Sequence, residues 1–372
     1  MTSVAINVDQ LFFKVPGGIG TYVRQLLPAL RAQSPDLDLS AFHSRFEGAA
    51  EAPELNGLRT TELDRSIRLL YPLWNLTGKP PLPDPLGSAE IVHAPSPVAV
   101  PPVRDGQKLV VTVHDLAFRL YPGAFPPSWR MLHMSGVKRT VRDANAVIAV
   151  SRNTASDLQK LTGIDPARIQ IVPLGGSIPV GTGDPGAVLD RLSIPRPYVL
   201  FVGTLEPRKN VVRLIRAYRR IAPGVPNALV LAGPRGWRSQ PVDRELAQPG
   251  HGRIIRTGRV SEDELDALYR GADAFAYPSL YEGFGLPVLD AMTRGVPVVT
   301  SNTSSLLDLA GEAAMRISPE SVGAIAGAME AVLTDQALSA RLGAAGRERA
   351  REFSWERTAR ETLDVYEKAL AG

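Results

Sequence analysis

A chain of 372 residues with 44% hydrophobic and 22% charged side chains is too long for one comfortable core and too apolar to stay disordered, so two folded domains are expected. Having no cysteine, it excludes disulfides, thiol catalysis and thiolate metal sites. A net charge of +4, with a pI near 9.4, allows contact with anionic lipid or phosphorylated ligands but is too small to imply a nucleic-acid partner.

The opening MTSVAINVDQLFF lacks the basic-then-apolar layout of a secretory signal and reads as a first strand. No apolar run reaches membrane-spanning length, so cytoplasmic residence is the expectation. Apolar runs near 4–8, 37–42, 90–93, 109–113, 146–150 and 169–172 predict strands, with helices between them over 20–32, 127–142 and 152–161. The Gly- and Pro-dense stretch 173–197 looks like a linker with one helical turn. The rhythm then restarts: strands at 198–203, 228–233, 254–258, 272–279 and 296–301, with helices over 209–221, 261–270 and from Pro287. Two doubly wound α/β domains follow, with ligands expected beyond the carboxyl ends of the strands and in the cleft between the two sheets.

PSLYEGFGLPVLDAM (278–292) places Glu282 among glycines just ahead of a helix that Pro287 can open, with Asp290 expected in its exposed first turn. Gly283 and Gly285 let the backbone bend around a ligand, and the N–H groups of Phe284, Gly285 and Leu286 can face an anion at the helix start. The two carboxylates remain to accept hydroxyl hydrogen bonds. Read alone, such acids fit solvated or capping residues equally well. In GTLEPRKN (203–210), Lys209 at a helix start is a point charge suited to a phosphate. VPGGIGTYVRQLL (15–27) puts a glycine turn before a helix with Val23, Leu26, Leu27 and Leu30 on one face, and it lacks the third glycine of a dinucleotide fingerprint. VVTVHDLAF (110–118) sets His114 at the end of an apolar strand, where a lone histidine is more often structural. Ser151 reads as an ordinary helix cap.

PSLYEGFGLPVLDAMTRGVPVVTS resembles the signature of glycosyltransferase family 4, retaining enzymes that use activated sugars. The resemblance covers nearly the whole chain. It implies the GT-B fold, two Rossmann-like doubly wound domains facing each other across a deep cleft. The first, residues 1–175, would take the acceptor. A linker at 176–197 would lead to the nucleotide-sugar domain at 198–352, and the helix 353–372 would cross back toward the first domain.

The family's motif spaces two acids as Glu282 and Asp290 stand here, although its second acid is usually Glu. By resemblance, Glu282 binds sugar hydroxyls, Asp290 the ribose and Lys209 the diphosphate. Many members carry Arg where this chain has Thr204, and Arg208 is the candidate substitute. Gly18, with Gly17 beside it, would offer a backbone N–H to the donor's distal phosphate. His114 would position the transferred sugar and help stabilise developing positive charge. The 229–237 loop and the loop from Gly258 to Val260 would meet the base through backbone atoms.

What the resemblance implies is therefore a hexosyltransferase acting on a nucleoside diphosphate sugar, with a glycan, glycolipid or small-molecule hydroxyl as acceptor. GTLEPRKN together with PSLYEGFGLPVLDAM is similar to mannosyltransferases of polysaccharide assembly, which favours GDP-mannose. No DxD-type or His-rich cluster stands in the strand-end loops, so neither a metal nor a cofactor is expected. Two alternatives stay open from the residues: a nucleotide-sugar epimerase of the same fold, and a sugar-nucleotide-binding protein without activity. RSIRLLYPLW (65–74) and PSWRMLHMSGVKRTVR (127–142) mix aromatic and aliphatic residues with Arg and Lys. They read first as helices packed on the first sheet, and peripheral contact with the inner membrane face stays open for them.

Overall fold

Runs such as LVVTV (109–113) and VLFV (199–202) put branched apolar side chains on both faces of a strand, as a parallel sheet covered on both sides requires. The computed structural model, which describes residues 2–13, 17–47 and 52–372, contains two such sheets. The chain divides into one unit of Met1–Gly175 with Ser354–Gly372 and a second of Gly176–Phe353.

In the first unit, β1 (Ser3–Asn7), β2 (Asp38–Arg45), β3 (Arg59–Ser66), β4 (Ile91–Ala94), β5 (Lys108–Val113), β6 (Ala146–Ala149) and β7 (Ile169–Ile171) lie in the order β3-β2-β1-β4-β5-β6-β7. In the second, β8 (Tyr198–Val202), β9 (Ala228–Ala232), β10 (Ile254–Gly258), β11 (Ala274–Tyr277), β12 (Val298–Ser301) and β13 (Met315–Ile317) lie in the order β10-β9-β8-β11-β12-β13. Every pairing is parallel. The strand order reverses at β1/β4 and at β8/β11, the points of such sheets beyond whose carboxyl ends ligands bind.

The Gly17–Gln33 helix buries Val23, Leu26, Leu27 and Leu30 at the expected spacing; Val15 and Pro16 of the glycine motif lie outside the described residues. Ser151 caps the Arg152–Thr162 helix by accepting from the Thr154 N–H. The final helix, Trp355–Ala371, belongs to the first unit. Its Tyr366 hydroxyl is 2.7 Å from Nδ1 of buried His93, whose Nε2 is 2.8 Å from Thr112 Oγ1. Burial, with the nearby His114 adding to it, lowers the His93 pKa to about 3, so a neutral imidazole bridges helix and sheet.

Three features depart from the sequence reading. β3 was not anticipated: RTTELDRS turns only Leu63 fully inward and stands at a charged sheet edge, where Arg59 pairs with Asp38. β13 and the helices Val322–Thr334 and Gln336–Ala350 complete the second unit beyond the last expected strand. The 176–197 stretch, expected as a linker, lies within the second unit. It carries a helix, Pro185–Arg191, capped by Asp184, with Leu189 and Ile194 buried. Arg294 donates to the Pro179 carbonyl at 2.7 Å and Arg270 to that of Gly183 at 2.7 Å, which fastens the stretch down.

Replacing Tyr366 with Phe should cost about 1–3 kcal/mol by leaving a buried His93 nitrogen without its partner. Tyr366→Ala should cost about 3–5 kcal/mol. Urea unfolding of both variants checks this, and a Phe variant as stable as wild type would show that the hydrogen bond to His93 contributes nothing.

Candidate functional site

The candidate site of the second sheet is built from the exits of β8 and β11. After β8 the chain turns through Gly203, at φ +151°, and Thr204 into a short 3-10 turn, Pro207–Lys209, and then the Val211–Ile221 helix. Asn210 takes φ +60° between the two and ties them across the sheet by donating to the Pro278 carbonyl at 2.9 Å and the Pro319 carbonyl at 2.7 Å. The β11 exit, 278–285, lies beside it. Lys209 Nζ donates to Glu282 Oε1 and to the Tyr277 hydroxyl, each at 2.7 Å. Arg208 Nη1 donates to Glu282 Oε2 at 2.9 Å and its Nη2 to Glu206 at 2.9 Å. Ser279 donates to Glu282 Oε1 at 2.6 Å. Residues 206–209 and 282 thus form one contiguous cluster of two cations and two carboxylates.

Glu282 is 6% exposed. Burial alone would push its carboxyl up, but Arg208 and Lys209 overcome that and hold its pKa at about 2. Burial, reinforced by Arg208, lowers the Lys209 pKa, while Glu282 and Glu206 oppose the fall. At neutral pH the pair is ionic, and neither cation exists without a nearby counter-charge.

A run of hydroxyl residues that the sequence reading passed over sets the Glu282 loop. Thr300 donates to the Tyr277 carbonyl at 3.0 Å and Ser301 to that of Ser279 at 2.6 Å. Ser304 Oγ accepts the Glu282 N–H at 3.1 Å, and Ser305 lies 2.9 Å from both the Glu282 and Phe284 carbonyls. The signal was legible as TSNTSS (300–305) following an apolar strand. Gly285 is obligatory: its φ is +111°, and a Cβ there would fall 2.6 Å from Leu306 Cδ2. The Leu286–Thr293 helix begins directly after it. Among the described residues, no protein group accepts from the N–H groups of Phe284, Gly285 and Leu286, which stand together at this helix start.

Asp290 corrects an expectation. It lies in the second turn of the helix instead of the exposed first turn, and it is 2% exposed. Its carboxylate accepts from the Ser177 N–H at 2.7 Å and from the Ser177 hydroxyl. Burial raises its pKa to about 6 against these hydrogen bonds and the charge of Arg294. Asp290 is thereby a fastener of the 176–179 chain.

Thr204 packs its methyl where a side chain on Gly236 would stand. Gly258, at φ +71°, accepts the Gly233 N–H at 2.9 Å, and Val260 is half-buried on the same loop. A Cβ on Gly233 would sit 2.2 Å from the Gly203 carbonyl, so these loops approach backbone to backbone.

In the first unit, Gly17 at φ +63° and Gly18 are exposed at the start of their helix. One turn on, the Tyr22 ring meets the His114 ring edge-on, with centroids 5.0 Å apart. His114 Nε2 is 3.1 Å from the Pro95 carbonyl, which can only accept, so Nδ1 carries the lone pair. Burial lowers the His114 pKa to about 4 despite Asp115 and that carbonyl. The imidazole is neutral at pH 7, and its Nδ1 can accept a hydrogen bond.

The family described as Glycosyltransferase Family 4 matches residues 16–175, and Glycosyl transferases group 1 matches residues 191–349. The chain is 34% identical over 269 residues to O-antigen chain mannosyltransferase B of Escherichia coli, covering 70% of each. It is 30% identical over 295 residues to serotype-specific mannosyltransferase WbdA of E. coli, covering 73% of this chain but only 35% of that longer protein. Among solved structures, sucrose-phosphate synthase from Thermosynechococcus elongatus superposes with a TM-score of 0.76 at 21% identity, covering 100% of both chains. That likeness shows the fold, which is GT-B.

An unfolded chain loses the Asp290 proton near pH 3.8 and the folded one near 6. Ionisation therefore costs stability as pH rises from about 4 to 6, and the cost is fully present above that window. Asp290→Asn should stabilise the protein by on the order of 1–3 kcal/mol at pH 7 and not at pH 4. Denaturant melts at the two pH values measure it; a difference independent of pH would contradict the assignment.

Proposed function

The chain belongs to glycosyltransferase family 4, and from that premise we propose that it is a retaining enzyme that moves mannose from GDP-mannose to an acceptor hydroxyl of a glycan, glycolipid or small molecule. The observation that carries the donor side is that Lys209 and Arg208, at the exit of β8, bond to Glu282 on the exit of β11, just ahead of a helix start where the N–H groups of Phe284, Gly285 and Leu286 have no protein acceptor among the described residues. Such a group of donors suits a diphosphate. Mannose is favoured by the mannosyltransferase relatives.

In this reading Lys209 and the N–H groups of Phe284, Gly285 and Leu286 stabilise the leaving GDP, with Gly17 and Gly18 offering further N–H groups to its distal phosphate. Preorganised donors aimed at the departing charge supply the main rate enhancement. Glu282 stays ionised and accepts from hydroxyls of the transferred sugar. His114, neutral, accepts a sugar hydroxyl through Nδ1 and places no positive charge near the cationic sugar of the transition state. The leaving phosphate takes the acceptor's proton as the acceptor oxygen bonds to the anomeric carbon, so no protein nucleophile is required. Backbone groups of the 229–237 and Gly258–Val260 loops meet the base.

The ribose contact assigned to Asp290 requires Ser177 to yield. Two ribose hydroxyls would replace one N–H and one O–H, a like-for-like exchange of donors. We propose that transfer needs no metal, because no DxD-type or His-rich cluster stands in the strand-end loops of the sequence.

A thermal-shift panel of GDP-, UDP-, ADP- and dTDP-sugars tests the donor. A ligand bound only by the folded state raises stability in proportion to ln(1 + [L]/Kd). GDP-mannose should give the largest shift and should transfer sugar equally well in EDTA; Glu282→Ala should reduce transfer by about 100-fold or more. A larger UDP or dTDP shift discards mannose, and a flat panel discards the donor site.

A further inference from the structure

The helices Ile67–Thr77 and Pro127–Asp143 of the first unit border a cavity of about 670 Å³ that no step of the proposed reaction uses. Of the ten large apolar side chains standing exposed among the described residues, five (Leu69, Leu76, Trp129, Met131 and Met134) sit on these two helices. Leu76 is 76% and Met131 70% exposed. Isolated exposed apolar residues are ordinary on any protein, whereas clustering on one pair of helices marks an interaction surface.

The same helices carry Arg68, Arg130, Lys138, Arg139 and Arg142 against one acid, Asp143. That acid is occupied: Arg142 donates to both its oxygens, at 2.5 and 2.9 Å. Arg139, which lines the cavity, is 4% exposed. Its Nε lies 3.4 Å from Asp143 without hydrogen-bond geometry, and its Nε and Nη1 are buried without a hydrogen-bond partner. Asn75 Oδ1 and Arg130 Nε line the cavity in the same condition. A buried guanidinium left with idle donors is destabilising. A phosphate oxygen pair satisfies its planar fork. A bare phosphate gives nothing to Asn75 Oδ1, which needs a donor such as a hydroxyl.

We propose that this face docks on a bilayer containing an anionic phospholipid whose headgroup bears a hydroxyl. Arg139 receives the headgroup phosphate and Asn75 Oδ1 the hydroxyl, while Leu69, Leu76, Trp129 and Met131 enter the interfacial layer and the remaining cations face neighbouring headgroups. Among the described residues, no helix is long and apolar enough to cross a membrane; this is a surface contact.

The test is co-sedimentation of the full chain with phosphatidylglycerol–phosphatidylcholine vesicles, against phosphatidylcholine alone and against free glycerol 3-phosphate followed by hydrogen exchange of the two helices. Wild type should prefer the anionic vesicles by at least about ten-fold. Arg139→Met should lower that binding by roughly ten-fold. Its melting temperature should stay at or above wild type, since two buried donors without hydrogen-bond partners are removed, and its GDP-mannose thermal shift should be unchanged. Leu76→Asp with Met131→Asp, on the surface, should weaken vesicle binding even if the Arg139 variant does not fold. Vesicle binding that survives Arg139→Met, or wild type that binds glycerol 3-phosphate and ignores vesicles, overturns the proposal.

Discussion

A buried carboxylate that must neutralise two cations governs the second unit. Taking any one of Glu282, Lys209 and Arg208 out of water costs several kcal/mol, and only their mutual attraction with a full set of hydrogen bonds offsets it. Glu282 meets that demand with donors from Lys209, Arg208, Ser279 and Tyr277. The cluster is therefore rigid in the sense that matters for chemistry. Moving the carboxylate leaves two buried cations exposed to each other, and moving either cation leaves the carboxylate without compensation.

The fold brings these residues together for a topological reason. Strand order reverses between β8 and β11, so the two exits leave the sheet side by side, one carrying the 206–209 cations and the other Glu282, and they bond to each other. The hydroxyl groups of Thr300, Ser301, Ser304 and Ser305 then pin the second exit through its backbone. Gly285 supplies the left-handed turn that starts the helix with its N–H groups grouped. The first unit repeats the same strand order, with neutral His114 at the exit of β5.

Much of this was legible in the sequence because its periodicities are strong. Doubly apolar runs announced the parallel strands, and GTLEPRKN and PSLYEGFGLPVLDAM fell at strand exits where ligands gather. What stayed hidden depends on contacts between residues far apart in the chain. Nothing local in PVLDAM says that Asp290 will be buried on Ser177, 113 positions away. Nothing in the Gly- and Pro-rich 176–197 stretch says that Arg294 and Arg270 will fasten it to the second unit. β3 escaped because a charged sheet edge lacks the inward alternation by which strands are recognised. The hydroxyl ladder of 300–305 was visible as a pattern, but its meaning required knowing which carbonyls faced it.

If Lys209 and Arg208 serve the donor's diphosphate as proposed, Glu282, which both of them bond, competes with it for their charge. Calorimetric titration of GDP into wild type, Glu282→Gln and Lys209→Met measures that competition directly. The account predicts that Glu282→Gln binds GDP more tightly than wild type, since its cations are released, and that Lys209→Met binds it at least about ten-fold more weakly. Weaker GDP binding by Glu282→Gln, or unaltered binding by Lys209→Met, would contradict it.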